Sequence, residues 1–320
     1  MSEIRTPATA PRPTRRSVLL LWVIAGAGLI LSSLFSLLLY SVSGNANPQL
    51  QLLVNSLVYY LPFLALPVFL LVRRTPDMWQ SLRPYPISLF SVLSIVSLAL
   101  VGVFFMTDLT ALWTILLEAA GLNAGGSSLA VPTNAPGLML TVFCVAVLPG
   151  VCEEFLFRGV VLPAFERYGT RHAVLVTGAM FALLHGSLTG LPAHFLLGII
   201  IGSLVVCCDS IYAGLIFHTA YNAATLILTS IANRSANAAA EYARMLDAVG
   251  GLSGAAALLG EMLLMGAMMY FTLRMFRMTA RLRKITFQPR HREPLRASEW
   301  ALLAAGLLIT LLLFAANLLL

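Results

Sequence analysis

Apolar runs separated by short polar segments recur along the whole 320-residue chain. The runs are about 20 residues long, enough for a helix rising 1.5 Å per residue to cross the roughly 30 Å of hydrocarbon in a bilayer. Only helices and closed barrels satisfy backbone hydrogen bonds in lipid, and the alternating segments of a barrel are absent from the sequence. The predicted spans are 17–42, 52–72, 87–107, 137–167, 171–189, 192–208, 210–232, 254–276 and 299–320. We therefore expect an all-α fold, a polytopic transmembrane bundle of eight or nine helices.

Composition also indicates a membrane protein. Hydrophobic residues make up 59% of the chain and charged residues 10%, whereas soluble domains have about 45–50% and about 25%. The cysteines show no Cys-x-x-Cys spacing, so we expect small buried apolar side chains, and neither a disulfide framework nor a zinc knot. They are Cys144, Cys152, Cys207 and Cys208.

Positive charge is distributed unequally between the two ends of the predicted spans. If the N-terminus is cytoplasmic and each run crosses once, only Arg234 and Arg244 lie outside. Cytoplasmic loops carry such an excess of Lys and Arg, so the net charge of +7 indicates orientation in a lipid bilayer and no nucleic-acid partner. The inside set consists of cations within 5–16, 73–83, 167–171 and 274–296. The basic loop 274–296 either serves orientation alone or also attracts anionic lipid.

The predicted domain organisation is simple. Residues 1–16, with four arginines and three prolines, are expected to form a disordered basic cytoplasmic tail. Residues 17–320 are expected to form a single transmembrane domain with a candidate catalytic core at 137–232. Two outside connections interrupt the pattern. We predict an interfacial helix and an irregular segment within 108–136, and a short Ala-rich helix within 233–253.

Ionisable side chains recur in the predicted spans of the candidate core. On insertion scales an Asp, Arg or Lys in the middle of a membrane helix costs roughly 2.5–3.5 kcal/mol, so such groups usually face the bundle interior and serve function. The candidates are Glu153, Glu154 and Arg158 in one span, His185 in the next, and His218 with Asn222 in a later one. His194 remains open between an interhelical hydrogen bond and a place in the same site.

Helix geometry separates the two adjacent glutamates. Glu154 and Arg158 are four residues apart, so they share a face and are predicted to form an ion pair that makes their burial tolerable. Glu153 points about 100° away and lacks that partner. We therefore predict that Glu154 is structural and that Glu153 is a general base. Pro149 and Gly150 are expected to loosen the helix and admit water.

A depth estimate brings groups from different spans together. Glu153 and His185 each lie 14 residues from an arginine at the cytoplasmic end of their span, which is about 21 Å along a helix. His218 and Asn222 are four residues apart and present one polar face. We therefore expect these side chains to meet in one site.

Three short motifs resemble those of a known family. The segment EEFLFR matches Glu-Glu-x-x-x-Arg, FALLH matches Phe-x-x-x-His, and HTAYN matches His-x-x-x-Asn. Their order is that of the CPBP intramembrane proteases, which include the CAAX prenyl endopeptidases and the bacterial Abi proteins linked to bacteriocin self-immunity. The motifs lie within 137–232, and elsewhere the chain resembles the family only in being transmembrane.

The resemblance implies hydrolysis of a peptide bond inside the membrane. The implied roles are water activation by Glu153 and His185, oxyanion stabilisation by His218 and Asn222, and support of the first motif by Glu154 and Arg158. Family members are also described as metalloproteases. Glu153, His185 and His218 would then supply three ligands of a catalytic zinc ion with an open position for water. A metal-free glutamate mechanism fits the same residues, so both mechanisms remain open.

The implied substrate is a membrane-embedded or lipidated peptide or protein that enters laterally or from the cytoplasm. The implied location is the bacterial cytoplasmic membrane, with several spans and a cytoplasmic N-terminus. Two other classes remain open, and the sequence does not indicate an oligomeric state. A proton-coupled transporter would use the Glu and His side chains as a relay, but no inverted repeat with paired broken helices is found. A non-catalytic scaffold or bacteriocin-immunity protein would keep the fold without chemistry, which the intact motifs disfavour.

Overall fold

The structure is a computed structural model that describes residues 13–43, 48–75, 78–122, 131–234, 252–279 and 294–319. Within these ranges the chain forms nine long helices and the single turn Met78–Ser81, with no strand. The helices are α1 (Arg15–Ser43), α2 (Pro48–Arg74), α3 (Leu89–Ala119), α4 (Ala135–Glu166), α5 (Thr170–Leu184), α6 (Leu191–Cys208), α7 (Ile211–Arg234), α8 (Leu252–Thr279) and α9 (Ala297–Leu319). Each predicted span corresponds to one of these helices, and the all-α bundle is confirmed.

Seven of the described helices are long and apolar enough to cross a membrane. They are α1, α2, α3, α4, α6, α7 and α9. Helix α5 is also apolar but has only 15 residues, or about 22 Å, which is less than the hydrocarbon thickness of a bilayer. The chain is therefore an integral, multi-pass membrane protein. The four cysteines form no disulfide, and three of them are buried.

Helix α3 corrects one prediction. The sequence predicts a span over 87–107 and a separate interfacial helix within 108–136, whereas α3 continues without a break to Ala119. The segment LTALWTILLEA contains neither Gly nor Pro, so no residue interrupts the helix there. Gly121 ends it with a φ of 76°, the left-handed conformation typical of a helix C-terminus.

Several sequence predictions lie at the edge of the described ranges or beyond them. The predicted Ala-rich helix in 233–253, most of the tail 1–16 and the middle of the basic loop 274–296 fall outside the described residues. Helix α1 begins at Arg15, so the last two residues of the predicted tail are helical.

Three segments of the long helices are widened into π-helix, namely Tyr60–Ala65 in α2 and Phe143–Val147 and Phe155–Val161 in α4. Each segment ends two residues before a proline: Pro67, Pro149 or Pro163. Proline has no N–H and its ring collides with the carbonyl of the preceding turn, so a wider turn accommodates it. The loosening expected at Pro149 therefore takes the form of a π segment just before the two glutamates.

One end of the bundle is held together by ion pairs. Arg15 at the start of α1 pairs with Glu299 near the start of α9 across 3.2 Å. Arg83, between α2 and α3, pairs with Glu166 at the end of α4 across 2.6 Å and with Asp209 between α6 and α7 across 3.2 Å. We call this end, defined by these five residues, the arginine-rich face.

Arg83 also connects this face through its backbone. Its carbonyl oxygen accepts a hydrogen bond from the N–H of Ile211, at the start of α7, over 3.0 Å. Its φ of 53° is unusual for a residue with a side chain. The backbone bond and the two ion pairs hold the chain in that conformation, so the α2–α3 connection is anchored to α4 and α7.

The opposite end of the bundle is joined by neutral hydrogen bonds. Trp113 of α3 donates through Nε1 to the carbonyl of Leu188, in the α5–α6 connection, over 2.9 Å. Ser230 of α7 donates to the carbonyl of Pro132, just before α4, over 2.8 Å. We call this end, defined by residues 131–134 and 185–190, the loop face.

Candidate active site

Helix α4 carries both adjacent glutamates into the centre of the bundle. Glu153 is 6% exposed, Glu154 0% and Arg158 1%. Successive helical residues point about 100° apart, so the two carboxylates face different neighbours.

Glu154 belongs to a closed group of three side chains, Glu154, Arg158 and His218, which we call the buried ionic cluster. Its Oε1 accepts a hydrogen bond from Arg158 Nη1 over 2.7 Å and from His218 Nδ1 over 2.8 Å. Arg158 Nη2 donates to the carbonyl of Gly198 over 3.1 Å. Gly214 leaves room for the carboxylate, because a Cβ there would lie 2.6 Å from Glu154 Oε2. The predicted pairing of Glu154 with Arg158 is confirmed, and His218 joins it.

Glu153 has neighbours of a different kind. Its Oε1 accepts a hydrogen bond from the hydroxyl of Tyr60, in α2, over 3.1 Å. Its Oε2 is buried, has no hydrogen-bond partner among the described residues, and lies 3.9 Å from His185 Nε2. That separation is too long for a direct hydrogen bond but suits a bridging water. The predicted approach of Glu153 and His185 is confirmed, across this gap.

His185 follows the last residue of α5 and has one ring nitrogen fixed. Its Nδ1 lies 2.8 Å from the carbonyl oxygen of Phe181. A carbonyl oxygen only accepts, so Nδ1 carries the proton of a neutral ring and Nε2 carries the lone pair. The ring also stacks on His194 of α6, with centroids 4.0 Å apart. His194 therefore belongs to the surroundings of the site, although none of the three motifs includes it.

The phenylalanine of the second motif lies against both histidines. The ring centroid of Phe181 is 4.5 Å from that of His185 and 5.7 Å from that of His218. The guanidinium of Arg158 lies 4.8 Å from the same ring, a favourable placement for a cation over an aromatic face. The Phe-x-x-x-His spacing thus supplies one aromatic side chain that orients His185 and covers the buried ionic cluster.

A cavity of about 800 Å³ lies beside Glu153. The carboxylate, imidazole and amide side chains that line it are Glu153, His185, His194, His218 and Asn222. Among the described residues Glu153 is its only carboxylate, and no Arg or Lys lines it. Asn222 donates through Nδ2 to the carbonyl of Val145 over 3.1 Å, so its second amide hydrogen is available to a ligand. His218 and Asn222 share the cavity wall, as their spacing predicts.

The three predicted zinc ligands, Glu153, His185 and His218, all line the cavity. Among the described residues, no group of three or more His, Cys, Asp or Glu side chains is arranged to hold a metal ion. Glu153 faces His185, whereas the Nδ1 of His218 is engaged by Glu154. The Nε2 atoms of His185 and His218 are not engaged by these contacts, and a metal-ligating histidine commonly holds its other nitrogen on a carboxylate or carbonyl in this way. The zinc site therefore stays a prediction.

A comparison with protein families identifies the part of the chain that contains this site. Residues 135–224 match the model of a family described as type II CAAX prenyl endopeptidase Rce1-like. This segment is similar to a CAAX endopeptidase domain. The resemblance indicated by the three motifs is confirmed for it, and the match supports an intramembrane endopeptidase. No curated protein and no solved structure matches the chain.

The matched segment 135–224 contains all six predicted site residues, which lie in two adjacent groups. Glu153 faces His185, Glu154 binds Arg158 and His218, and Asn222 lies at the cavity wall. One neighbour, Tyr60, was missed by sequence reasoning, and His194, which the sequence left open, lies beside His185. Tyr60 lies outside the matched segment, with Tyr59, inside an apolar span. Tyrosines usually sit at the ends of spans, so an adjacent pair within one was the available signal.

Proposed function

We propose that this protein is an intramembrane endopeptidase in which Glu153 and His185 activate a water molecule. One observation carries the proposal. The Oε2 of Glu153 is buried, without a hydrogen-bond partner among the described residues, 3.9 Å from His185 Nε2 and beside the cavity. Burying a polar atom without a partner is costly, so such an atom at a cavity wall is suited to hold a water or a substrate.

The proposed reaction passes one proton through Glu153. Water in the gap donates one hydrogen bond to Glu153 Oε2 and one to the lone pair of His185 Nε2, which aims its oxygen at the peptide carbonyl. As the new C–O bond forms, the first proton moves to Glu153. Glu153 then gives that proton to the amide nitrogen, the C–N bond breaks, and a carboxylic acid and an amine are released. Tyr60 holds Oε1 throughout and so keeps Oε2 directed at the water.

His218 and Asn222 are assigned to the oxyanion that forms in this step. The Nδ1 of His218 is engaged by Glu154, so the oxyanion would be met by the Nε2–H of a doubly protonated ring. The second amide hydrogen of Asn222 is a further donor, and fixed donors at a developing charge lower the barrier.

The proposed substrate is a membrane-embedded or lipidated peptide or protein, because the cavity lies among helices that can span the bilayer. The proposed location is the bacterial cytoplasmic membrane with a cytoplasmic N-terminus. The unequal distribution of cations between the two ends of the helices supports that orientation.

The test uses the purified full-length protein in liposomes with a library of membrane peptides. We expect the wild type to cleave some of them and Glu153→Gln to lower kcat by about 10²–10⁴-fold, the usual contribution of a general base. Glu118→Gln, at an exposed carboxylate near the end of α3, is the matched control and should leave cleavage unchanged. A parallel assay with a chelator should also leave it unchanged.

Each arm has an outcome that contradicts the proposal. Cleavage that survives Glu153→Gln would show that Glu153 is not the general base. Activity that is lost with a chelator and restored by zinc would show that the reaction depends on a metal ion. Proton-coupled flux without cleavage would favour the transporter, and partner binding without either activity would favour the scaffold.

A further inference from the structure

The cavity occupies one end of the bundle. Its described lining residues in α4 are Cys144, Val145, Pro149 and Glu153, all on the side of Glu153 that is remote from Glu166 and the arginine-rich face. In α5 it touches only the C-terminal turn and in α6 only the first two turns, where both helices meet the loop face. Ser187, Thr189 and Gly190 of the α5–α6 connection complete the wall. The cavity therefore reaches the loop face.

Helix α5 explains how a cavity can reach so deep from that side. Its 15 residues span about 22 Å, so it ends inside a hydrocarbon layer of roughly 30 Å. His185 and the connection 185–190 then lie deeper in the bilayer than the end of a helix that crosses it completely. From this length we infer a recess in the loop face at this point, with Glu153 lining the cavity beneath it.

The route from the arginine-rich face is filled by protein. Every residue of α4 from 156 to 165 is buried, and Phe157, Val160, Val161 and Leu162 are 0% exposed. The buried ionic cluster lies at the inner end of this segment, and Arg83 and Glu166 close its outer end. Along α4, therefore, no exposed surface connects the arginine-rich face with Glu153.

The two faces differ in charge as well as in access. Among the described residues, the end of α7 at the loop face carries Arg234, whereas the helix ends and connections at the arginine-rich face carry a larger set of cations, which includes Arg15, Arg16, Arg73, Arg74, Arg83, Arg167, Arg171, Arg274 and Arg296. By the positive-inside rule the arginine-rich face is cytoplasmic, so the recessed loop face is on the opposite side of the membrane.

We propose that the active site receives its substrate from the non-cytoplasmic side, so that the substrate is a peptide segment already translocated across or inserted into the membrane. The proposal rests on the endopeptidase function proposed above and replaces entry from the cytoplasm with entry at the loop face.

The cavity wall also restricts which part of the substrate binds. No Arg or Lys is present among its described lining residues, which otherwise offer hydroxyl groups, aromatic rings and aliphatic side chains. A free C-terminal carboxylate brought into such a wall would be desolvated without a cationic partner, which is costly. The wall therefore fits an uncharged internal segment, cut away from the chain end.

The test measures access and does not depend on cleavage. The four native cysteines are replaced, and single cysteines are introduced as Thr189→Cys at the loop face and Gln80→Cys at the arginine-rich face. Intact cells are treated with a membrane-impermeant maleimide, before and after permeabilisation. We expect Thr189→Cys to react in intact cells and Gln80→Cys only after permeabilisation. Ser187→Cys serves as a second loop-face variant if Thr189→Cys does not fold.

A third variant tests the cavity itself. Thr225→Cys, a lining residue of α7, should react with a small charged methanethiosulfonate added to intact cells. Loop-face variants that react only after permeabilisation, or folded variants that do not react at all, would overturn the proposal. In a further outcome, the labelling follows this expectation while the purified protein cleaves no membrane peptide. That combination would contradict the proposed function but would still support access from the loop face.

A cleavage arm then tests the substrate class. Peptides with the same uncharged internal segment are prepared with a free or an amidated C-terminus and supplied at either face of oriented vesicles. We expect cleavage only from the loop face and no dependence on the C-terminal carboxylate. Cleavage only from the arginine-rich face, or a strict requirement for a free carboxylate near the cut, would contradict this inference.

Discussion

The surroundings of Glu153 and of Glu154 differ although the two residues are adjacent. Glu154 is enclosed with Arg158 and His218, and its charge is shared between two cationic or hydrogen-bonding partners. Glu153 accepts one hydrogen bond from a neutral hydroxyl, and its other oxygen is directed at a histidine across a gap beside the cavity. In a membrane protein, burial is tolerable for a compensated charge, so the uncompensated one is the candidate for chemistry.

The same contrast extends along α4. Toward the loop face, residues of this helix line the cavity and include a π segment just before Pro149. Toward the arginine-rich face the helix is completely buried from 156 to 165. One helix thus supplies an accessible wall on one side of the glutamate pair and a closed barrier on the other.

The largest expected effect separates the two glutamates by stability. Glu154→Gln leaves the Arg158 guanidinium buried without its counter-charge, and breaking a buried pair in this way costs about 3–5 kcal/mol. Glu153→Gln keeps an oxygen acceptor for Tyr60 and removes an uncompensated charge, so its free energy of unfolding should change by less than about 1 kcal/mol. Thermal or denaturant unfolding of both variants in the same detergent measures the difference. Equal destabilisation by the two substitutions would contradict the assigned division between structure and chemistry.

A smaller effect is expected at Tyr60, on catalysis. Tyr60→Phe removes one hydrogen bond to a carboxylate, worth about 1.5–3 kcal/mol, so kcat should fall about 10- to 150-fold. KM should change little, because Tyr60 orients Glu153 and the substitution keeps the aromatic ring. Tyr59→Phe, on the adjacent ring 4.8 Å away, is the matched control. A fall in kcat that is the same for both variants would show that the effect comes from packing and not from the bond to Glu153.

The smallest expected effect is at the wall of the buried ionic cluster. Gly214→Ala places a methyl group 2.6 Å from Glu154 Oε2. Overpacking of this kind costs about 1–3 kcal/mol, and the better helix propensity of Ala returns up to about 1 kcal/mol, which leaves a net loss near 1 kcal/mol. Gly260→Ala in α8, where no atom lies within 4 Å of the new Cβ, should be neutral or stabilising. Changes in the free energy of unfolding that have opposite signs for the two variants, relative to the wild type, would support the steric explanation. A Gly214→Ala variant more stable than the wild type would contradict it.

Features that depend on local spacing could be predicted from the sequence. Each helix coincides with a predicted span because hydropathy over about 20 residues decides whether a segment crosses lipid. The Glu154–Arg158 pair follows from the i,i+4 geometry of one helix. The end of α3 was mispredicted because an apolar segment that continues past the width of the bilayer carries no stop signal until Gly121.

Features that depend on packing between helices could not be predicted. The hydroxyl of Tyr60 reaches Glu153 only because α2 packs against α4 in one particular register. The contact between His218 Nδ1 and Glu154 was likewise not predicted, because it joins α7 to α4. Both contacts join residues far apart in sequence, and neither residue pair has a spacing that a single helix would reveal. The direction from which the cavity is reached likewise required the burial of α4 along its length.

The anchoring of Arg83 has a consequence for how the bundle moves. Its two ion pairs and its bond to Ile211 hold the α2–α3 connection against α4 and the α6–α7 turn, while Arg15 and Glu299 hold α1 against α9. Helices clamped at one end separate most readily at the other, so slow breathing motions would be concentrated near 185–190. Amide hydrogens at the α6–α7 turn would then exchange with solvent more slowly than those of the α5–α6 connection. Widening of the entrance would require no rupture of the ionic contacts, which act as a common hinge.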